Sequence, residues 1–125
     1  MSIQTPEPRL DDAARDARQA AVLARLRTVL PAHALLSRRA DVTPYECDGL
    51  TAYRERPLLV ALPETDSQVA DILRICHAMG VPVVARGAGT GLSGGAMPHR
   101  EGVTLSLAKF NKILRLDAEA GLAVV

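Results

Sequence analysis

Aromatic side chains are nearly missing from this sequence. There is no tryptophan, and Tyr45, Tyr53 and Phe110 are the whole aromatic complement, 2% of the residues. Any core must therefore be built from Ala, Val, Leu and Ile. Charge of one sign is lacking too, since 15 Lys and Arg face 14 Asp and Glu, for a formal charge of +1. Without a basic surplus to track phosphates or aromatics to stack on bases, the chain does not read as a nucleic-acid binder. Cysteine is scarce: Cys47 and Cys76 stand far apart, form no C-x-x-C pair, and read as reduced, intracellular thiols. The polar start, "MSIQTPEPRLDDAARDAR", lacks the apolar centre of a signal peptide. No apolar run approaches the ~18 residues of a membrane span. These absences predict a soluble, cytoplasmic protein, which could still dock onto a membrane-bound partner.

What is abundant is glycine, in one place. Gly87, Gly89, Gly91, Gly94 and Gly95 fall within "ARGAGTGLSGGAMP" (Ala85 to Pro98), out of 9 glycines in the chain. Ordered glycine costs backbone entropy, so this density marks a demanding backbone path.

The surrounding pattern places that path. Residues Met1 to about Leu10 hold two prolines and read as a loose lead-in. Asp11 or Asp12 can cap a helix whose apolar positions are Val22, Leu23, Leu26, Val29 and Leu30, with Pro31 ending it. Ala32 to Arg56 reads as irregular, with a turn at Asp48-Gly49. "LLVAL" (Leu58 to Leu62) is a short apolar strand. Thr65 or Asp66 then caps a helix carrying Val69, Ile72, Leu73, Cys76 and Met79 on one face, and Gly80 sits where a helix C-terminal glycine belongs. "VPVVA" (Val81 to Ala85) is a second strand. Strand, helix and strand within about thirty residues make a βαβ unit with parallel strands and a right-handed crossover. The glycine run therefore follows the carboxyl end of a parallel strand, where open α/β sheets bind ligands. "GVTLSL" (Gly102 to Leu107), "KILRL" (Lys112 to Leu116) and "GLAVV" (Gly121 to Val125) read as further strands, the last two joined by a turn near Asp117 to Gly121. The fold class is α+β: a βαβ unit plus antiparallel strands, preceded by an N-terminal helix. Val124 and Val125 lie in an apolar strand with no turn or polar cap after it. This predicts that the 125 residues are a fragment of a longer reading frame.

Three glycine-loop chemistries compete. The P-loop spacing is present from Gly89 to Gly94, but Gly95-Ala96 stands where Lys-Ser/Thr is needed, so triphosphate chemistry is unsupported. Gly89-Thr90-Gly91-Leu92-Ser93-Gly94 is a literal G-x-G-x-x-G, the dinucleotide fingerprint of Rossmann NAD-binding domains. That motif must open a helix, and Gly94, Gly95 and Pro98 oppose one. The third reading is a helix-free loop that wraps a pyrophosphate with successive backbone N–H groups, Thr90 and Ser93 adding hydroxyls. A Gly-rich connection without a ligand is the bland alternative. Elsewhere, His33, His77 and His99 share no metal-ligand spacing and read as surface or structural. Cys76 reads as a core thiol and Cys47 as a packed loop thiol, while Lys109, Lys112 and Arg115 read as a solvated face. Arg86 could neutralise phosphate charge, shape the loop, or simply be solvated.

"PVVARGAGTGLSGGAMP" resembles the pyrophosphate loop of the FAD-binding PCMH-type domain in the vanillyl-alcohol oxidase / p-cresol methylhydroxylase superfamily. "PYECDGL" and "AYRERPLLV" narrow the resemblance to the branch that holds the FAD-linked subunits of bacterial glycolate oxidases, relatives of D-lactate dehydrogenases. It runs from about Leu35 to the end of the chain, with residues 1–53 as lead-in and 54–125 as the first part of the FAD-binding domain. The resemblance implies an FAD-dependent oxidation of a 2-hydroxy acid, glycolate or D-lactate, to a 2-oxo acid. It assigns the pyrophosphate loop to Arg86, Gly87, Ala88, Gly89, Thr90, Gly91, Leu92 and Ser93, with Gly94 and Gly95 shaping its exit. Thr90 lies at or near the position of a histidine that bonds covalently to flavin in some members, so FAD is expected to be non-covalent. Partner subunits, one with iron–sulfur clusters, are implied. Catalytic and substrate residues are expected downstream, none in this chain, which alone should be inactive and bind FAD weakly. The other function class left open is an autonomous, non-catalytic module that binds FAD or another nucleotide.

Overall fold

The computed structural model describes residues 9–125, so the lead-in up to Pro8 lies outside the described residues. Helix α1 spans Asp12–Leu26, and the Asp11 carboxylate caps it by accepting from Ala14 N at 2.7 Å. Val22 and Leu26 are its fully buried apolar residues. The helix stops short of Pro31. The Thr28 hydroxyl donates to Arg25 O at 2.7 Å, and Thr28 N and Val29 N bond three residues back, tightening the last turn. Leu30 still reaches the core from that turn.

The stretch expected to be irregular contains more order than its composition suggests. Two single 3₁₀ turns, Ala32–Ala34 and Thr43–Tyr45, flank strand β1 (Leu35–Leu36) and the short helix α2 (Arg39–Val42). Strand β2 (Leu59–Ala61) pairs antiparallel with β1, with Leu36 opposite Val60. Pairing with a distant strand, which local pattern cannot report, is what makes Leu35–Leu36 extended.

Helix α3 (Asp66–Ala78) starts and stops as its sequence asks. Thr65 Oγ1 accepts from Gln68 N, and Gln68 Oε1 reaches back to accept from Glu64 N at 2.8 Å, a variant of the capping box. At the other end Gly80 takes φ +60°, Gly80 N donates to His77 O, and Val81 N donates to Cys76 O at 2.8 Å. This pair of bonds is a Schellman ending, which needs the left-handed residue that glycine supplies. The buried face centres on Ile72 and Cys76, flanked by Val69, Ile75 and Met79. Leu73, expected on that face, is exposed instead, because the core sits towards the Ile75 side of the helix.

Strand β3 (Val83–Arg86) follows, and then β4 (Val103–Ser106). The sheet order is β1-β2-β4-β3. Thus β2 and β3 run parallel but are not neighbours. β4 lies between them and is parallel to both, with Thr104 opposite Val60 and Val84. The sequence reading put antiparallel strands after the βαβ unit, and for β4 this is corrected. Parallel neighbours need a connection of about a dozen residues or more, and residues 87–102 supply it. Antiparallel pairing is confined to β1 with β2 and to a separate hairpin of β5 (Arg115–Asp117) and β6 (Leu122–Val124). Asp117 Oδ1 accepts from Ala120 N in its turn, and Gly121 adopts φ +64°.

One sheet face, from Leu59, Ala61, Val103 and Leu105, joins Val22, Leu26, Ile72 and Cys76 in the core. On the opposite face Val60, Thr104 and Ser106 are also buried, so β4 is covered on both sides as a central parallel strand should be. Burial pushes the Cys76 thiol up to about 11. That shift favours folding below the ordinary thiol value, and the contribution is lost as pH rises towards 11.

Two outcomes test this packing. Ile72→Ala should cost about 2–5 kcal/mol, read as a lower urea midpoint at an unchanged slope. A thiol reagent at pH 8 should label the half-buried Cys47 and leave Cys76 unmodified until denaturant is added.

Candidate functional site

The glycine loop leaves the carboxyl end of β3 and is exposed over Gly87 to Gly95, apart from the half-buried Gly89. Its glycines do two different jobs. Gly89 (φ +73°) and Gly94 (φ +83°) occupy the left-handed region. A Cβ on Gly89 would also collide with the Arg86 guanidinium. By contrast, a Cβ on Gly87, Gly91 or Gly95 would meet no protein atom within 4 Å. Nothing in the chain's own packing requires glycine there. The open side of the backbone is a surface that a second molecule can approach closely.

The loop is held from beneath and from one side. Arg86 Nη1 donates to Cys47 O at 2.7 Å, and the guanidinium lies 5.4 Å from the centre of the Tyr45 ring. The cation is turned under the loop, so of the roles open to Arg86 the loop-shaping one matches its position. Asp48, only 6% exposed, accepts from Leu50 N at 3.0 Å through Oδ1 and from Gly94 N at 2.9 Å through Oδ2. Gly49 N donates to Gly91 O at 2.9 Å. The approach is so close that a Cβ on Gly49 would stand 2.6 Å from Thr90 O. Tyr45, Cys47, Asp48 and Gly49 are thus part of the site, although sequence reasoning read a turn, a packed thiol and a family-marking segment there and gave none of them a place at the loop. The Asp-Gly pair announced the turn. Its contact with a loop about forty residues later had no local signal.

Among the described residues, no backbone N–H from Gly87 to Ser93 donates to a protein acceptor. Nor do the exposed hydroxyls of Thr90 and Ser93 have a partner there. The segment Ala85 to Pro98 contains no carboxylate. A run of free amide donors with no fixed anion of its own is suited to bind one. After Gly95 the chain makes a turn closed by Met97 N donating to Gly94 O at 3.1 Å, passes the buried Pro98, and enters β4. No helix follows the G-x-G-x-x-G, which removes the Rossmann reading.

The other residues singled out do not join this site. His99 Nδ1 accepts from Glu101 N at 3.1 Å, and His33 and His77 are exposed. No group of His, Cys, Asp and Glu among the described residues could hold a metal ion. Lys109, Lys112 and Arg115 face solvent. No described helix is long and apolar enough to cross a membrane.

Comparison with known proteins agrees with this geometry. A family model described as an FAD binding domain matches residues 57–125. The glycolate oxidase subunit GlcD of Escherichia coli (strain K12) is 52% identical over 111 residues, which is 89% of this chain and 22% of that protein. The D-2-hydroxyglutarate dehydrogenase of Xanthomonas citri pv. viticola is 37% identical over 93 residues, 74% of this chain and 20% of that one. Among solved structures, substrate-bound p-cresol methylhydroxylase superposes with a TM-score of 0.71 at 25% identity, covering 82% of this chain and 21% of its own. An alkyldihydroxyacetonephosphate synthase gives 0.69 at 18% identity over 80% of this chain and 22% of its own, a likeness of fold. The chain therefore spans about a fifth of the length of the relatives it matches.

If Asp48 anchors the loop, Asp48→Ala should strand the Gly94 and Leu50 amides and cost about 1–3 kcal/mol, measured by chemical denaturation. Limited proteolysis should then cut between Gly87 and Gly95 faster than it does in the unaltered chain.

Proposed function

Because the chain belongs to the FAD binding domain family, we propose that the loop Arg86–Gly95 grips the pyrophosphate of a non-covalent FAD with its backbone. The observation that carries this reading is the run of unpaired amides from Gly87 to Ser93, on a backbone whose Cβ side is open at Gly87 and Gly91. Each hydrogen bond to a charged acceptor contributes about 1.5–3 kcal/mol, so a few of them hold an anion that elsewhere needs a lysine. In this reading Gly87, Ala88, Gly89, Thr90, Gly91, Leu92 and Ser93 present the donors. Arg86 props the loop, and Gly94 and Gly95 turn the chain away at its exit. Thr90 offers no side chain able to bond covalently to a flavin ring.

FAD would supply a two-electron acceptor. Residues 54–125 form the first part of the domain that binds it, and residues 1–53 lead in to it. The protein as a whole is an oxidoreductase that takes a 2-hydroxy acid, glycolate or D-lactate, to the 2-oxo acid. This chain binds and orients the cofactor and contributes no catalytic residue. It works with partner subunits, one of them carrying iron–sulfur clusters, at the inner face of the membrane.

A chimaera tests the reading. In it, this chain replaces the matching 111 residues of the Escherichia coli glycolate oxidase subunit. The purified chimaera should be yellow, release FAD on denaturation, and oxidise glycolate. Gly89→Val in the same chimaera should weaken FAD about tenfold to a hundredfold, the loss of one charge-assisted bond. A colourless chimaera, or full flavin loading of the Gly89→Val form, would overturn the assignment of the loop, and flavin retained after denaturation would overturn the non-covalent reading.

A further inference from the structure

The glycine loop lies at the carboxyl edge of the parallel strands. The opposite edge, where residues 56–58 lead into β2, carries a separate feature. A pocket of about 200 Å³ opens there, walled by Arg15, Asp16, Gln19, Ser37, Arg39 and Arg56. Arg15 forms its floor and is only 2% exposed. Its Nε donates to Arg100 O at 3.2 Å, and its Nη2 to Arg56 O at 3.2 Å and Pro57 O at 2.9 Å. All three acceptors are neutral carbonyls, and Nη1 has no acceptor among the described residues.

What sets this pocket apart is the clustering of three arginines around one cavity, one of them fully buried. Arg38 pairs with Asp41, Arg74 with Asp71 and Arg100 with Asp12. No described carboxylate lies within ion-pair distance of Arg15, Arg39 or Arg56. Three arginines thus line one pocket with a single acidic residue, Asp16. Burying a charge is costly, and desolvation, followed by Arg56 and Arg100, lowers the pKa of Arg15, which Asp16 and Glu55 oppose only in part. An anion in the pocket would offset that cost. The dimensions limit what fits: the volume suits a small ion with a few waters, and none of Tyr45, Tyr53 or Phe110 lines the pocket to stack on a nucleotide base.

We propose that this pocket binds a small tetrahedral oxyanion of the inorganic phosphate class, held by Arg15 Nη1 at its floor and by Arg39 and Arg56 at its mouth. Its ligand is distinct from any pyrophosphate on the glycine loop, which lies at the other edge of the sheet, so the proposal stands apart from the flavin reading.

The test titrates inorganic phosphate into the chain at constant ionic strength, with chloride as the reference. Saturable heat and a rise in melting temperature beyond that in chloride are expected, because a ligand bound only by the folded state stabilises it. R39Q and R56Q alter exposed or half-exposed side chains and should leave the circular dichroism unchanged. Each should weaken phosphate about fivefold, the effect of one partly exposed charge, and the double variant should lose binding. Gly89→Val should bind phosphate as the unaltered chain does. Phosphate acting no differently from chloride, or binding that survives in the double variant, would overturn the proposal. So would loss of binding in Gly89→Val, which would move the anion to the glycine loop.

Discussion

The placement of β4 governs the rest of the molecule. A parallel strand between β2 and β3 must be entered from its amino end, whereas β3 releases the chain at its carboxyl end. The connection therefore has to travel back along the whole sheet. It starts as the glycine loop and finishes against the amino end of β3, where Val103 N donates to Pro82 O at 2.8 Å. A Cβ on Gly102 would lie 2.6 Å from that same carbonyl, so the arrival is as tight as the departure is open. Between the two ends the N-terminal region clamps the connection. Leu10 N donates to Glu101 Oε1 at 2.7 Å, Arg15 donates to Arg100 O, and Arg100 pairs with Asp12. The long return path leaves the loop free of sheet pairing, while the clamps at its far end keep it from wandering.

Binding by backbone makes a particular demand on such a loop. Amides in water lose little by being unpaired, but they bind an anion well only if they already converge, since ordering them on binding would consume the gain. The preorganisation here comes from residues that do not face a ligand. Arg86 fills the space under Gly89, Asp48 takes the Gly94 amide, and Gly49 closes on Thr90. The arrangement also accounts for a buried carboxylate beside a row of unpaired amides. Asp48 spends both oxygens on amides, Leu50 N and Gly94 N, and the Arg86 cation lies beneath the same loop. A chain with almost no net charge can thus present a locally electropositive backbone without a lysine.

Much of this was legible in the sequence where the cause is local. The Asp11 and Thr65 caps, the Gly80 ending of α3, strands β2, β3, β4 and β6 and the turn at Gly121 each follow from a few adjacent residues and stand within a residue or two of where the pattern puts them, whereas β5 begins at Arg115, three residues after the Lys112 that "KILRL" predicts. The family signature in the glycine loop was equally clear, and Pro98 correctly argued against a helix behind the literal G-x-G-x-x-G. What could not be read depends on neighbours far along the chain. Leu35–Leu36 is a strand because β2 is beside it. Leu73 is exposed because the core settles on the Ile75 side of α3. β4 joins the parallel set because the return path is long enough, and no periodicity within "GVTLSL" encodes its direction. Tyr45, Cys47, Asp48 and Gly49 belong to the site through contacts across about forty residues. Their own composition spells only a turn.

The same distinction between local and distant causes separates the two sheets. The central strands β2 and β4 are buried on both faces, and α1 and α3 pack on the same core. The β5–β6 hairpin is a two-stranded ribbon with Leu114, Leu116, Leu122 and Val124 all exposed. Two-stranded ribbons are marginal in water without a face to pack on, so the cooperative unit of this chain is α1 through β4. The glycine loop lies inside that unit, between β3 and β4, and both of its neighbours pair along their full length. Its geometry is therefore backed by the stability of the whole core. The loop can stay open at Gly87 and Gly91 without becoming loose, which is the condition under which a row of bare amides holds an anion.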